Sequence, residues 1–371
     1  MPDVHRVAII MAGGSGERFW PLSRRNRPKQ FLRLAGERTL LEQAVETIAP
    51  LFTPEDMFIA TGEHLIEATS SLLPHFPASN IIAEPFPRNT AGCIVLATAH
   101  LLARTGGDGT RMIAAVLASD HRITDEERYR ETLRTALAAA EAKNALITLG
   151  VAPTRPETGY GYIEVSGERI ILPGTAADIP VFAASRFHEK PDRHAAETYL
   201  ATGNHLWNSG MFFWRISSFL AELETAAPAL AWAVHGIAGA CSAGDRERVR
   251  AIFHDLPAVS IDHALMERAR RVLVVRSDFG WDDIGAWDAL DRTMPHDGDG
   301  NIAVGGPVLL DSRDCIVLNE PGPAERTVAV VGVEGLAVIV SGDAVLVVPK
   351  DRAQEVRAVV AELKRRGSDR L

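Results

Sequence analysis

Residues 7–23 read Val7-Ala-Ile-Ile-Met-Ala-Gly-Gly-Ser-Gly-Glu-Arg-Phe-Trp-Pro-Leu-Ser23. Val7 to Met11 is a short unbroken apolar run, the pattern of a strand covered on both faces. It leads straight into Gly13-Gly14-Ser15-Gly16. Residues without a Cβ let backbone N–H groups close on an anion. Ligands of open α/β sheets bind at such strand ends. Three named loops do not fit. A Walker A loop ends in Gly-Lys-Ser/Thr, which is absent here. The dinucleotide fingerprint needs a glycine where Phe19 stands, and a nucleophile elbow needs one where Glu17 stands. What remains is a phosphate-type loop of another kind or a tight turn. Arg18 and Lys29 follow closely and suit a polyphosphate, although either alone also reads as a solvated surface charge.

Outward from this stretch, strand-like and helical segments alternate. Strands are expected at Val7–Met11, Met57–Ala60, Ile81–Ala83, Met112–Leu117 and Ala145–Val151. Helices are expected at Ala91–Arg104 and at Asp125–Lys143, whose acidic start suits the positive end of a helix dipole. This βαβα order implies an α/β fold with a mainly parallel sheet and helices on both faces. Residues 152–295 are more irregular. Strands are expected at Tyr160–Val165, Arg169–Leu172, Val181–Phe187, Met211–Arg215 and Val272–Arg276. Helices are expected at Asp192–Thr202, ending at Gly203, at Ser217–Thr225, near Asp262–Arg270 and from Ile284. The turn cluster Pro295–Asn301 marks a boundary between residues 1–294 and a small β-rich domain, 295–371. Asp351–Arg366 shows one apolar helical face, with Asp351 as its N-cap.

Of 371 residues, 46% are hydrophobic and 23% charged, which excludes disordered and collagen-like classes. The net charge of −9 argues against general nucleic-acid or anionic-membrane binding. Cys93, Cys241 and Cys315 are odd in number and far apart, so a disulfide framework and a cysteine-based zinc site are not expected. No signal segment or membrane-length apolar run is apparent, and a cytoplasmic location is expected.

Further blocks then accumulate in order. They are Ala12–Arg18, Trp20-Pro-Leu-Ser23 and Pro28-Lys-Gln-Phe-Leu32; Glu84-Pro85 with Arg88-Asn-Thr-Ala91; Leu117-Ala-Ser-Asp-His121; Pro153–Tyr162; Phe187-His-Glu-Lys-Pro191; Leu206–Phe212; Gly280-Trp-Asp-Asp-Ile-Gly285; and Lys350-Asp-Arg-Ala-Gln354. Together they resemble the sugar-phosphate nucleotidyltransferases, and within these the mannose-1-phosphate guanylyltransferases (GDP-mannose pyrophosphorylases). One block would be weak evidence; this many in order, over nearly the whole chain, are specific. Gly92 departs from the pattern, where a proline is expected after Ala91, and is read as altering a helix start rather than the chemistry. Larger members carry a further isomerase domain, so the 371 residues are read as the short form.

The resemblance implies a Rossmann-like (GT-A-like) nucleotidyltransferase domain, a β-helix-like C-terminal domain with a terminal helix, and a homodimer. It implies transfer of GMP from GTP to mannose 1-phosphate with Mg²⁺, giving GDP-mannose and pyrophosphate. It also implies residue roles. The backbone of Ala12, Gly13, Gly14, Ser15 and Gly16 wraps the phosphates, with Ser119 alongside. Arg18 and Lys29 counter charge on the α-phosphate and the leaving pyrophosphate, and Lys190 pairs with the sugar phosphate. Glu84, Asn89 and Thr90 serve the guanine and ribose, where a carboxylate or amide can read guanine's donor edge. Gly161, Glu189 and Asn208 serve the sugar. Asp120 and Asp283 hold Mg²⁺, a hard cation that favours carboxylate and phosphate oxygens. Asp282 is the neighbouring alternative. His121 is read as structural rather than a general base, because a phosphate monoester needs little proton removal. Trp207 and Trp281 are read as packing residues. Two other nucleotidyltransfer readings stay open: another hexose or nucleotide, and a non-catalytic regulatory subunit. The intact set Arg18, Lys29, Asp120, Lys190 and Asp283 speaks against the latter. A dinucleotide-binding oxidoreductase is remote, given the missing third glycine.

Overall fold

The computed structural model describes residues 4–371 apart from 35, 174 and 177. The chain divides into two compact units. The first comprises Met1–Gly13, Val45–Ala118 and Ile123–Trp281; the second comprises Gly14–Ala44, Ser119–Arg122 and Asp282–Leu371. Strands are numbered along the chain: β1 (His5–Met11), β2 (Met57–Gly62), β3 (Ile81–Glu84), β4 (Met112–Ala118), β5 (Arg122–Ile123), β6 (Leu146–Val151), β7 (Tyr162–Ile170), β8 (Val181–His188), β9 (His205–Arg215), β10 (Val272–Ser277) and β11 (Trp281–Asp282).

The first unit is built on a nine-stranded sheet of order β3-β2-β1-β4-β9-β6-β10-β8-β7, in which β9 also pairs with β7. The strand β1 runs parallel to both neighbours, with Ile9 opposite Phe58 and Val116. Being flanked on both edges and covered on both faces, its residues Val7–Ile10 are all buried, which is why the run lacks alternation. The long strand β9 enters antiparallel between β4 and β6, making the sheet mixed. The helix Asn89–Arg104 buries almost every turn beside Pro228–Ser242 residues in the main core, so its apolar character extends around the helix. Its core neighbour Trp214 stacks on Phe212 and Phe219. Side-chain caps start two helices where acidic residues predict them. Asp125 accepts from Arg128 N–H, and Asp192 from Ala195 N–H. Gly203, with φ of 70°, ends the helix Arg193–Thr202.

The second unit has a core of its own, from Phe19, Trp20, Leu32, Ile284 and Trp287 to Ile316, Ile339, Val356 and Val360. Its later strands are β12 (Ile302–Val304), β13 (Val308–Leu310), β14 (Ile316–Asn319), β15 (Ala329–Val331), β16 (Leu336–Ser341) and β17 (Ala344–Pro349). The strands β12, β14 and β16 stack in parallel, with Ile302 opposite Ile316 and Ile316 opposite Ala337. Short parallel rungs, with β13 and β15 forming a second pair, make a β-helix-like coil closed by antiparallel β17.

Several local expectations change. Arg169–Leu172 is not a separate strand, because β7 continues through bulges from Tyr162 to Ile170. The expected helix at 262–270 is a single π-helical turn, Asp262–Met266. The expected helix from Ile284 is a 3₁₀ turn, Trp287–Ala289, and one α turn, Leu290–Thr293. Asp351 caps no α-helix: Lys350–Glu355 is 3₁₀ and the α-helix is Val356–Arg365. Four α-helices lie outside these expectations: Leu40–Ile48, Ile66–Leu72, Pro228–Ser242 and Arg246–His254, the last two from a stretch whose alanines and glycines blur the helical period. No helix among the described residues is long and apolar enough to cross a membrane.

Candidate active site

In the first unit, the glycine-rich stretch is anchored where it leaves β1. Ala12 N–H donates to Ala60 O at 2.8 Å, and Thr61 Oγ1 donates to Ala12 O at 2.9 Å. Gly13 sits against Glu84: a Cβ there would lie 3.0 Å from Glu84 Oε1. Glu84 is buried at the end of β3, and its Oε1 has no hydrogen-bond partner among the described residues. Burial pushes its pKa up to about 7, while the Cys93 thiol hydrogen-bonds the carboxylate and pulls weakly the other way. Asn89 takes a left-handed φ of 59°, and its Oδ1 accepts from Thr90 N–H. Thr90 Oγ1 accepts from Ile261 N–H at 2.8 Å, so this hydroxyl ties the helix start to the 257–261 segment. Gly92 is required by packing. A Cβ there would fall 2.4 Å from Arg88 Cβ.

A second group in this unit gathers the expected sugar residues. Asn208 N–H donates to Gly161 O at 2.8 Å, and a Cβ on Gly161 would lie 2.8 Å from Glu189 Oε2. Glu189 pairs with Lys190, whose φ of 44° is left-handed. Asn208 Nδ2 donates to Asp262 Oδ1 at 2.6 Å. Sequence reasoning gives Asp262 no role. Its only signal is a carboxylate in the first turn of an expected helix, 54 residues from its partner. Burial raises its pKa to about 6, Asn208 lowers it, Glu189 raises it and Lys190 lowers it. Trp207 and Trp281 are buried and meet Tyr160 edge-on, as packing residues do.

In the second unit, Gly13's neighbours Gly14 and Ser15 are exposed, and Gly16 follows with φ of 62°. A Cβ on Gly16 would lie 2.4 Å from Lys29 Cβ, so only glycine fits on both counts. Ser23 Oγ donates to Gly16 O at 2.8 Å and fixes the turn. Lys29 is only 6% exposed, unlike the surface charge its sequence suggests. Its Nζ donates to Asp120 Oδ2 at 2.9 Å and to Asp283 O. One ammonium thus joins two residues that are far apart in sequence. Burial works to raise the Asp120 pKa, but Lys29 and His121 outweigh it and the net shift is downward. His121 is shifted down, by burial first, against the pull of Asp120. Ser119 is buried beside them in sequence.

The turn at 282–285 places the two adjacent aspartates in different surroundings. Asp282 is buried, accepts from Arg292 Nε at 2.8 Å and Nη2 at 3.3 Å, and accepts from Ile284 N–H at 2.8 Å. Ile284 is itself left-handed, with φ of 43°, a strained state for a β-branched residue. That conformation turns the following backbone so that Arg18 Nη1 reaches Gly285 O at 3.0 Å, while the Asp283 carboxylate lies 3.1 Å from where a Gly285 Cβ would be.

Comparison with known proteins identifies the family. The nucleotidyl transferase family matches residues 7–299, and the MannoseP isomerase/GMP-like beta-helix domain matches residues 305–363. The mannose-1-phosphate guanylyltransferase of Escherichia coli is 38% identical over 361 residues, covering 96% of this chain and 74% of the relative. The xanthan biosynthesis protein XanB of Xanthomonas campestris is 40% identical over 370 residues, covering 99% of this chain and 74% of the relative. A crystal structure from Thermus thermophilus, described as a mannose-1-phosphate geranyltransferase, is 38% identical with a TM-score of 0.82 and covers 97% of this chain and 99% of its own. With the glycine-rich turn, the bridged aspartates and the β-helix-like coil all in place, the chain belongs to the mannose-1-phosphate guanylyltransferase family of nucleotidyl transferases.

Proposed function

We propose that this chain transfers GMP from GTP to α-D-mannose 1-phosphate. A phosphate oxygen of the sugar attacks the α-phosphorus, the bond to the β-phosphate breaks, and pyrophosphate leaves in line. Both reactants are polyanions, so the site's task is to position them and to balance their charge. Arg18 and Lys29 take the nucleotide phosphates, on the backbone turn from Ala12 to Gly16. Glu84 and Asn89 face the base and ribose. Gly161, Glu189 and Asn208 hold the sugar hydroxyls, and Lys190 takes the sugar phosphate.

The observation that carries this reading is the Lys29 bridge. The same buried ammonium holds Asp120 Oδ2 and the backbone of Asp283. Asp120 is kept ionised and a third of its side chain stays exposed, while Asp282 is already taken by Arg292 and Ile284. A pair of carboxylates, from Asp120 and Asp283, suits a hard divalent cation. We therefore assign Mg²⁺ to Asp120 and Asp283. Bound there, Mg²⁺ supplies neutralisation of charge on the reacting phosphates.

The test incubates purified protein with GTP, mannose 1-phosphate and Mg²⁺ and measures pyrophosphate release against an EDTA blank. Release that needs both substrates and the metal is the expected result. Release only with another nucleotide or hexose phosphate would keep the chemistry and change the substrates. Asp283→Asn should raise the Mg²⁺ concentration needed for half-maximal rate. An unchanged Mg²⁺ titration in that variant would move the ligand to Asp282.

A further inference from the structure

A third cluster in the first unit lies outside the residues used above. Three strands contribute to it: Glu164 from β7, His188 from the end of β8 and His205 from the start of β9. The strand β7 pairs with both neighbours here, Tyr162 with His188 and Glu164 with His205. One ligating atom of each side chain lies within 4.8 Å of the others.

The hydrogen bonds around the His205 imidazole set its free nitrogen. Thr202 Oγ1 donates its one proton to Tyr199 O at 2.9 Å. It must therefore accept from His205 Nδ1, 3.0 Å away. His205 Nε2 is then the nitrogen with an open lone pair. His188 Nδ1 meets Tyr199 OH at 3.1 Å. Its Nε2 is buried and has no hydrogen-bond partner among the described residues. The nearest acidic atom, Glu164 Oε2, is 4.0 Å away, too far for a hydrogen bond. A tetrahedral ion with metal–ligand bonds of ~2.0–2.1 Å holds its ligand atoms about 3.3 Å apart, so a shift of well under ~1 Å in these side chains brings the two atoms to ligating separation. Asn204 Nδ2, at 3.5 Å, steadies the other carboxylate oxygen. Burial lowers the pKa of both histidines, so both rings are neutral near pH 7. Neutral imidazoles whose second nitrogen is held by a hydroxyl are the arrangement that orients metal ligands.

We infer that His188 Nε2, His205 Nε2 and the Glu164 carboxylate form a second cation site, selective for a borderline divalent ion such as Zn²⁺ or Co²⁺. Two nitrogens and one carboxylate suit these ions better than Mg²⁺, which prefers an all-oxygen shell. The ion ties β7, β8 and β9 together just before Glu189 and Asn208. Its place is distinct from the Asp120–Asp283 pair, since it uses none of those residues.

The test is a Co²⁺ titration of the intact chain in excess Mg²⁺, read by visible d–d absorption, with Zn²⁺ competition and metal content after dialysis. One Co²⁺ per chain with displaceable bands is expected for the wild type and for Asp283→Asn. Glu164→Gln and His188→Gln should weaken binding by at least ~100-fold. Thr202→Val, which touches no ligand atom directly, should weaken it by about 10-fold. Circular dichroism on each variant confirms that it is folded. Absence of stoichiometric Co²⁺ in the wild type would overturn the proposal. Equal affinity in folded Glu164→Gln and His188→Gln would do so too.

Discussion

Two sets of acids in this molecule carry opposite electrostatics. In the second unit Asp120 is partly buried with an ammonium against it, and its pKa falls. In the first unit Glu84 is buried beside a thiol, and its pKa rises to about 7. Asp262, hydrogen-bonded to an amide, rises to about 6. Burial pushes all three the same way, and the neighbouring charge decides the outcome. The paired aspartate is held in its ionised form, as the proposed Mg²⁺ ligand needs. The other two sit close enough to neutrality to exchange a proton when a ligand arrives.

The largest effect comes from removing the lysine that makes this difference. Lys29→Met should lower kcat by about 10²–10³, the scale of one preorganised transition-state donor. It should also destabilise the fold by about 1–3 kcal/mol, because Asp120, a third of whose side chain is exposed, loses its buried partner. Arg18→Ala should cost a similar factor in kcat and less stability than Lys29→Met, because its Nη1 bond goes to a neutral carbonyl, Gly285 O. Steady-state kinetics and urea unfolding on the two variants separate the cases. A Lys29→Met protein as stable as the wild type would show that the pairing does not set the Asp120 charge.

The next effect is a pH dependence confined to the first unit's acids. The folded pKa of Glu84, about 7, lies above its usual 4.5. Between those values the folded chain holds a proton that the unfolded chain releases. Stability therefore falls as pH rises through this window, by on the order of 3 kcal/mol, and this group adds no slope above or below it. Glu84→Gln should flatten that slope in urea unfolding measured from pH 4.5 to 8. Affinity for GTP should run the other way if Glu84 accepts hydrogen bonds from guanine, because only the ionised form accepts fully. Going from pH 6 to 8, GTP binding by the wild type should tighten by up to about 10-fold. A flat binding profile would remove Glu84 from the base site.

Much of this is legible in the chain alone, for reasons that can be named. The run Val7–Met11 lacks alternation because β1 is covered on both faces, and Gly16 is glycine because both its φ and Lys29 Cβ demand it. What stays illegible depends on contacts across long sequence gaps. Nothing near Lys29 in sequence tells that it is buried, since its acidic partner lies 91 residues on. Asp262 reads as a helix-start carboxylate until Asn208 is brought to it. The turn at 282–285 reads as a helix start because the left-handed Ile284 leaves no compositional mark. The metal-ligand trio escapes the sequence for the same reason: three residues on three strands, with no spacing motif to join them.

The smallest effect tests one assignment within the guanine-side group. The resemblance gives Thr90 to the nucleotide, yet its hydroxyl accepts from Ile261 N–H at 2.8 Å. Thr90→Ala leaves that N–H without its partner and should cost about 1–2 kcal/mol of stability. If the hydroxyl serves only this tie, KM for GTP stays within about 2-fold of the wild type, because an energy of ~0.4 kcal/mol or less separates the two. If it also touches the nucleotide, KM for GTP rises while KM for mannose 1-phosphate does not. Asn89 provides the control. Its Oδ1 accepts from Thr90 N–H and its backbone is left-handed, so Asn89→Ala strains the turn as well as removing an amide. A rise in KM for GTP in Asn89→Ala without one in Thr90→Ala would place the base contact on the asparagine and leave the threonine as the pin that holds the helix start in place.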